Sequence, residues 1–272
     1  MAEENRYIHG TAKQEQGRLK LLNSITNGSF INFLGESLEN IDGRKIADFG
    51  CGTGDLMSDI AGRYKGAQIT GVEISKAQYD EAVAKMGGNP NLTLINSDVL
   101  SSGLEDESFD LCYCRYLLEH IPDPVAVAKE MFRVVKQGGL IKAQENDLAV
   151  VFYHPEVDGL EAVCREFCAL QMELGGDPFI GRKLFDIFKR AGAVDITLTY
   201  EPEIYTEDDP ERYRAWMTNA LNIYQGAKER MVKRGNIDEA SIDRVLDILS
   251  ERIARPEGVS LFHWNRVSAR KG

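Results

Sequence analysis

The chain has 272 residues, 43% of them hydrophobic and 28% charged, a globular profile that excludes a disordered chain, a collagen-like fibre and a membrane bundle. The formal net charge is −11, and nearly all of the acidic excess lies in residues 1–200. An acidic body argues against a nucleic-acid partner, whose phosphates need a basic face.

The length allows one large domain or two small ones. Five cysteines, Cys51, Cys112, Cys114, Cys164 and Cys168, show no Cys-x-x-Cys spacing, so neither a zinc framework nor a secreted disulfide scaffold is expected. Met1-Ala2-Glu3-Glu4 opens the chain without an apolar run, and no stretch of about 18 apolar residues follows. The expectation is a cytoplasmic protein with reduced thiols and no membrane partner.

In chain order, residues 11–40 read as two helices. Leu19, Leu22 and Ile25 form one apolar face, and Phe30, Phe33 and Leu34 the next. Lys45–Phe49 is a short apolar run ending in glycines, which predicts a buried strand. Leu56 to Tyr64 is a helix, and Gln68–Glu73 a second strand. Ser75 caps the following helix. Leu92–Ile95 and Ser108–Cys114 are the third and fourth strands. Pro124 opens a helix that runs to about Lys136 and stops at Gly138-Gly139. Leu140–Glu145 is the fifth strand. Val194–Tyr200 and Val259–Val267 are β-branched runs that supply the last two.

This β-α alternation predicts an α/β fold, a doubly wound, mostly parallel, seven-stranded sheet with a ligand at the carboxyl ends of its strands. The core is expected at 41–200 and 257–272. An N-terminal helical cover at 1–40 and a helical lid insertion at 201–256, two helices joined near Gly235-Asn236, complete one domain.

The strongest local signal is Asp48-Phe49-Gly50-Cys51-Gly52-Thr53-Gly54, between a strand and a helix. Its glycines let backbone turn sharply and approach a ligand. A dinucleotide fingerprint needs glycine at position 55, which is Asp55, and an acid at a helix start repels pyrophosphate. A cationic sulfonium ligand escapes that repulsion. Glu73, at the end of the second strand, is placed to accept ribose hydroxyls. Asp98, after the third strand, is placed to accept an adenine amino hydrogen beside the Val99 backbone. Three acids at three successive strand ends line one cleft.

Over about residues 44–147 the chain resembles the class I S-adenosylmethionine-dependent methyltransferases, especially the small-molecule group of ubiquinone-biosynthesis-like and natural-product enzymes. The resemblance rests on Asp48–Gly54, Gly71-Val72-Glu73-Ile74-Ser75, Ser97-Asp98-Val99, and Phe109-Asp110-Leu111 continuing to Leu117-Leu118-Glu119-His120-Ile121-Pro122-Asp123. It implies a Rossmann-like strand order 3-2-1-4-5-7-6 with an antiparallel seventh strand. It implies S-adenosyl-L-methionine as cofactor and a small molecule as acceptor. Asp48, Gly50, Cys51, Gly52 and Gly54 would hold the cofactor's amino-acid end. Glu73, Ile74 and Gln78 would take the ribose, Ser97, Asp98 and Val99 the adenine, and Arg115 would contribute its backbone. His120 falls where the family often carries a histidine near the cofactor. Tyr7 and Arg18 lie in a segment that is similar to one whose tyrosine and basic residues cap the cofactor's carboxylate.

For the acceptor, His154 after the fifth strand is the candidate general base. Phe30, Phe33, Phe152, Tyr153, Tyr213, Trp216, Met217, Leu221 and Tyr224 are candidates for an apolar pocket. No His/Asp/Glu cluster has metal-ligand spacing. The alternatives are a cofactor-binding protein with a non-methylating role, a macromolecular methyltransferase and a nicotinamide dehydrogenase. A homodimer through the N-terminal helices is a further expectation.

Overall fold

The computed structural model describes Ile8 and residues 13–38, 43–86 and 88–272. Five strands run parallel: β1 (Lys45–Phe49), β2 (Gln68–Glu73), β3 (Leu92–Asn96), β4 (Phe109–Arg115) and β5 (Val135–Glu145). They lie in the order β3-β2-β1-β4-β5. Then comes β8 (Val259–Lys271), antiparallel to β5, with β7 (Ala193–Thr206) antiparallel on its outer side. This is the expected order, with β8 in the place of the antiparallel seventh strand.

Among the described residues the sheet has eight strands rather than seven. β6 (Phe152–His154) pairs with β8 at Phe152↔Leu261 and continues the line of β5 along the same side of β8. β7 also runs on to Thr206, past the boundary at 201 expected from the sequence.

Two further expectations are corrected. Residues 13–38 form one helix, α1 (Lys13–Leu38), not two. The two apolar faces belong to its two halves. Leu22 and Ile25 pack into a cluster with the lid, whereas Phe30, Ile31, Leu34 and Leu38 pack against the sheet. The helix α4 (Pro124–Val134) ends before Gly138-Gly139. Those glycines sit in a register shift of β5, between the pairs Phe109↔Val135 and Leu111↔Leu140.

Helices α2 (Asp55–Arg63), α3 (Lys76–Met86), α5 (Leu160–Glu173), α6 (Leu184–Arg190), α7 (Pro210–Arg234) and α8 (Glu239–Ala254) complete the chain. Side chains fix the starts of three of them. Asp123, Asp209 and Asp238 accept from Ala126 N, Arg212 N and Ser241 N. Proline at the next position in α4 and α7 suits the first helical turn. One core joins the sheet to α4 and α6, and a second joins it to α1 and α2. A third, built from α5, α7, α8 and the far ends of β7 and β8, stands beside the strand ends as the lid.

Candidate functional site

A cavity of about 610 Å³ lies at the carboxyl ends of β1, β2 and β4, between the sheet, α1 and α7. Its size suits a bound small molecule. The parallel strands make it. Each ends at the same level of the sheet, so side chains just beyond β1, β2 and β3 converge.

The glycine loop forms one wall. Gly50 N and Cys51 N both donate to Val72 O, at 2.9 and 3.1 Å, which ties the loop to β2. Gly50 has φ +74, and a Cβ there would stand 2.9 Å from Leu117 Cδ1. Gly52 N donates to Glu73 Oε2 at 2.9 Å, and Ser75 N to Glu73 Oε1 at 2.8 Å. Glu73 therefore fastens both strand-end loops while it lines the cavity. Burial raises its pKa, against the pull of those backbone N–H groups. Asp48 is buried and accepts from Tyr113 at 2.8 Å. Desolvation pushes its pKa up to about 7, opposed by the Tyr113 hydrogen bond and the Arg115 charge.

Asp98 lines the cavity and accepts from Leu100 N at 2.8 Å. Ile74 and Leu100, each 44% exposed, both line it, a pair of apolar surfaces suited to the faces of a planar base. Gln78 is buried and also contributes to the lining.

The structure thus gathers Arg18, Asp48, Gly50, Cys51, Gly52, Glu73, Ile74, Gln78, Asp98, Arg115 and His120 around one cavity. Four expected residues stand apart. Gly54 is the α2 cap, where a Cβ would meet Met86 Cε at 2.8 Å, so it serves helix packing. Ser97 spends its groups on Glu73 O and Ser101 O. Val99 is buried in the sheet core, and Leu100 faces the cavity instead. His154 is exposed on β6 and absent from the lining, because strand alternation turns Tyr153 inward and its two neighbours outward. Tyr7 lies outside the described residues.

Arg115 extends its side chain to α1, bonding Asn23 Oδ1 at 2.6 Å and Asn27 Oδ1 at 2.7 Å. Arg18 is held by both oxygens of Glu15, at 2.7 and 2.6 Å, and by Asn219 Oδ1 of α7 at 3.0 Å. Asp55 does not line the cavity and pairs with Lys85 at 3.1 Å. The repulsion of a pyrophosphate therefore falls to Asp48 and Glu73, not to Asp55.

Sequence reasoning missed a polar group on the acceptor side. Glu119 Oε2 accepts from Asn146 Nδ2 at 2.8 Å and Gln171 Nε2 at 3.1 Å, and Glu119 Oε1 is 3.6 Å from His120 Nε2. Behind it the buried Glu145 accepts from Leu117 N and Leu118 N at 3.0 and 2.9 Å. Burial first, and then the Glu119 charge, push Glu145 up to about 8. Burial also lowers His120, against the pull of Glu119, so its ring is neutral near pH 7. Glu119 stood beside His120 in a motif already singled out. Gln171 and Asn146 carry no local signal.

Of the apolar candidates, Tyr153, Trp216 and Tyr224 line the cavity, joined by Tyr116, Phe262 and Trp264. Phe30, Tyr213 and Met217 are core, and Phe152 is exposed. Tyr116, at the end of β4, holds φ +55, an uncommon backbone state for a bulky residue and one that clusters at functional sites.

Residues 47–142 match the family described as a methyltransferase domain. Over 116 residues the chain is 36% identical to a ubiquinone biosynthesis O-methyltransferase of Pseudomonas fluorescens, covering 41% of this chain and 47% of that one. It is 34% identical over 140 residues to the sterol 4-C-methyltransferase strm-1 of Caenorhabditis elegans, covering 48% of this chain and 41% of the relative. The chain thus spans less than half the length of these two curated relatives. A putative sarcosine dimethylglycine methyltransferase from Galdieria sulphuraria shares the fold, with a TM-score of 0.57 at 18% identity over 91% of this chain and 85% of that one. The methyltransferase domain matched over residues 47–142, the strand order and the acid-lined cleft at the strand ends agree with the resemblance to the class I S-adenosylmethionine-dependent methyltransferases.

Proposed function

We propose that the protein transfers a methyl group from S-adenosylmethionine to a small-molecule acceptor bound in the same cavity. The observation that carries this reading is the convergence of Asp48, Glu73 and Asp98 on one cavity with the glycine loop. The residues fit the cofactor chemically. Asp48 matches an ammonium group, Glu73 a pair of ribose hydroxyls, and Asp98 an adenine amino group. Gly50, at φ +74 and packed against Leu117, makes a turn there that suits glycine alone.

Bound there, the cofactor supplies an electrophilic methyl on sulfonium. The chain supplies position and exclusion of water. Its α1 and α7 close the cavity, joined by Arg18 and Asn219. Where the acceptor is a hydroxyl, the neutral imidazole of His120 would take its proton as the acceptor is methylated. Glu119, 3.6 Å away, then stabilises the imidazolium. His120 takes over the role the sequence suggested for His154, because His120 lines the cavity. The acidic lining disfavours phosphate-rich partners such as nucleic acid.

Calorimetry with S-adenosylhomocysteine tests the reading. Saturable one-to-one binding is expected, and its absence in the folded protein overturns the proposal.

A further inference from the structure

The acceptor side of the cavity has an unusual wall. Five of its aromatic side chains carry a polar atom, and each is bonded to a residue outside the cavity lining. Trp216 Nε1 donates to Ser260 Oγ at 2.8 Å, and Trp264 Nε1 to Glu203 Oε1 at 3.3 Å. Gln144 Nε2 donates to the Tyr116 hydroxyl at 2.8 Å. Tyr153 bonds Ser260, and Tyr224 bonds Cys164 Sγ at 2.9 Å. With Phe262, these rings offer the cavity an aromatic wall whose polar atoms already have partners. Ring-to-ring contacts fix them further, Trp264 lying 4.8 Å from Tyr116 and 4.5 Å from Phe262 between centroids.

The lining also carries a polar cluster of Glu119, His120, Asn146 and Gln171, apart from Arg18 with Asn219 and Arg115 with Asn23, which bond each other. Asn146 Oδ1 is buried there with no hydrogen-bond partner among the described residues.

Building on the proposed activity, we propose that the acceptor is a lipophilic molecule with one polar head, an apolar body bearing a single hydroxyl or amino group. Ser260 and Glu203 are the positioning residues that make the wall apolar, since they occupy both indole N–H groups. The physical basis is the cost of stranded polar groups. A polar-bodied acceptor such as an amino acid, a sugar or a phosphorylated metabolite would lay its donors and acceptors on ring faces. Each group left without a partner costs about 1–3 kcal/mol. A hydrocarbon body loses nothing there, and its head meets Glu119 and His120.

The test uses the protein's own fluorescence. The chain has two tryptophans, and both stand in this wall. The full chain, saturated with S-adenosylhomocysteine, is titrated with 4-heptylphenol, 4-heptylaniline, tyrosine and 4-hydroxyphenylacetate. Saturable changes are expected with the first two, at affinities at least ~100-fold tighter than with the last two. Equal affinity for all four, or no response to either alkyl compound, overturns the inference. Failure of S-adenosylhomocysteine to bind would instead overturn the proposed activity, so the two failures are distinguishable. For the positioning role, Glu203→Gln keeps an acceptor for the Trp264 N–H and should keep alkylphenol binding. Glu203→Leu and Ser260→Ala should each weaken it about tenfold, with S-adenosylhomocysteine affinity unchanged. Parallel loss of both ligands, or no loss of either, overturns that role.

Discussion

Tyr113 donates its hydroxyl to Asp48 Oδ2 across 2.8 Å, and the two residues are register partners on the adjacent parallel strands β4 and β1. The bond holds a buried carboxylate at the cavity wall, where desolvation has raised its pKa to about 7. A cationic ligand group reverses that shift, because it favours the charged form. Cofactor binding near pH 7 should therefore release a proton, and affinity should rise with pH through that value. Calorimetry of S-adenosylhomocysteine binding in two buffers of different ionisation enthalpy checks this, and identical heats would refute it. Tyr113→Phe removes a hydrogen bond to a charged group, worth about 1.5 kcal/mol, and should weaken binding about tenfold.

Glu73 holds Gly52 N and Ser75 N while it faces the cavity. Glu73→Ala leaves both donors without their carboxylate and removes the ligand contact. Each lost charged hydrogen bond is worth about 1.5–3 kcal/mol, so cofactor affinity should fall at least ~100-fold. Glu73→Gln keeps one acceptor oxygen and should fall less. Equal affinities for the two variants would show that the loop anchoring is immaterial.

Glu145 and Asp48 make the unliganded protein sensitive to alkali. Both have folded-state pKa values raised above their usual range, to about 8 and about 7. The folded state therefore binds more protons than the unfolded state between roughly pH 4 and 8, and stability declines as pH rises through that window. Glu145→Gln keeps an acceptor for Leu117 N and Leu118 N but cannot ionise. It should flatten the decline, raising Tm near pH 8.5 by at least about 2–4 °C, the shift that ~1 kcal/mol produces in a chain of this size. Calorimetric scans of both proteins near pH 5.5 and 8.5 decide it.

His154 and His120 separate by position. His154 is exposed on β6, and His120 lines the cavity with a neutral ring. His154→Ala should leave methyl transfer unchanged. His120→Ala should lower kcat for a hydroxyl acceptor by about 100-fold or more, the scale of general-base catalysis, with cofactor affinity nearly intact. A kcat–pH profile that loses its acidic limb only in the His120 variant would confirm the assignment.

The contrast between these two histidines shows what a sequence can and cannot carry. Asp48, Glu73 and Asp98 were legible because each sits at or just past the carboxyl end of a short apolar strand, and parallel strands bring such positions together. His154 was misread because its strand is three residues long, and no pattern that short fixes which side chains face inward. The split of α1 into two helices followed from a real change of apolar face, which one continuous helix satisfies by touching two cores in turn. The meeting of Glu119, Glu145 and Gln171, or of Trp264 with Tyr116, joins segments far apart in the chain. Only the folded sheet and lid bring them together.

Gly71 offers a prediction about the loop that needs no ligand chemistry. It lies inside β2 opposite Asp48, and a Cβ there would stand 2.7 Å from Cys51 Sγ and crowd Met57 Sδ as well. Its φ is not in the left-handed region, so alanine meets no backbone strain and the whole effect is steric. Cys51 is part of the cavity wall, and Met57 is fully buried beneath it. Neither can yield without shifting the glycine loop or α2. Overpacking of this kind costs about 1–3 kcal/mol. Gly71→Ala should therefore lower Tm and weaken S-adenosylhomocysteine binding together, because the displaced atom is the loop itself. The double variant Gly71→Ala with Cys51→Ala removes the clash with Cys51 Sγ but keeps those with Met57 Sδ and Cys51 Cβ, and should recover part of both losses. Denaturant melts and calorimetry on the single and double variants measure the recovery. Strict additivity of the two substitutions would show that Cys51 and Gly71 do not share that space.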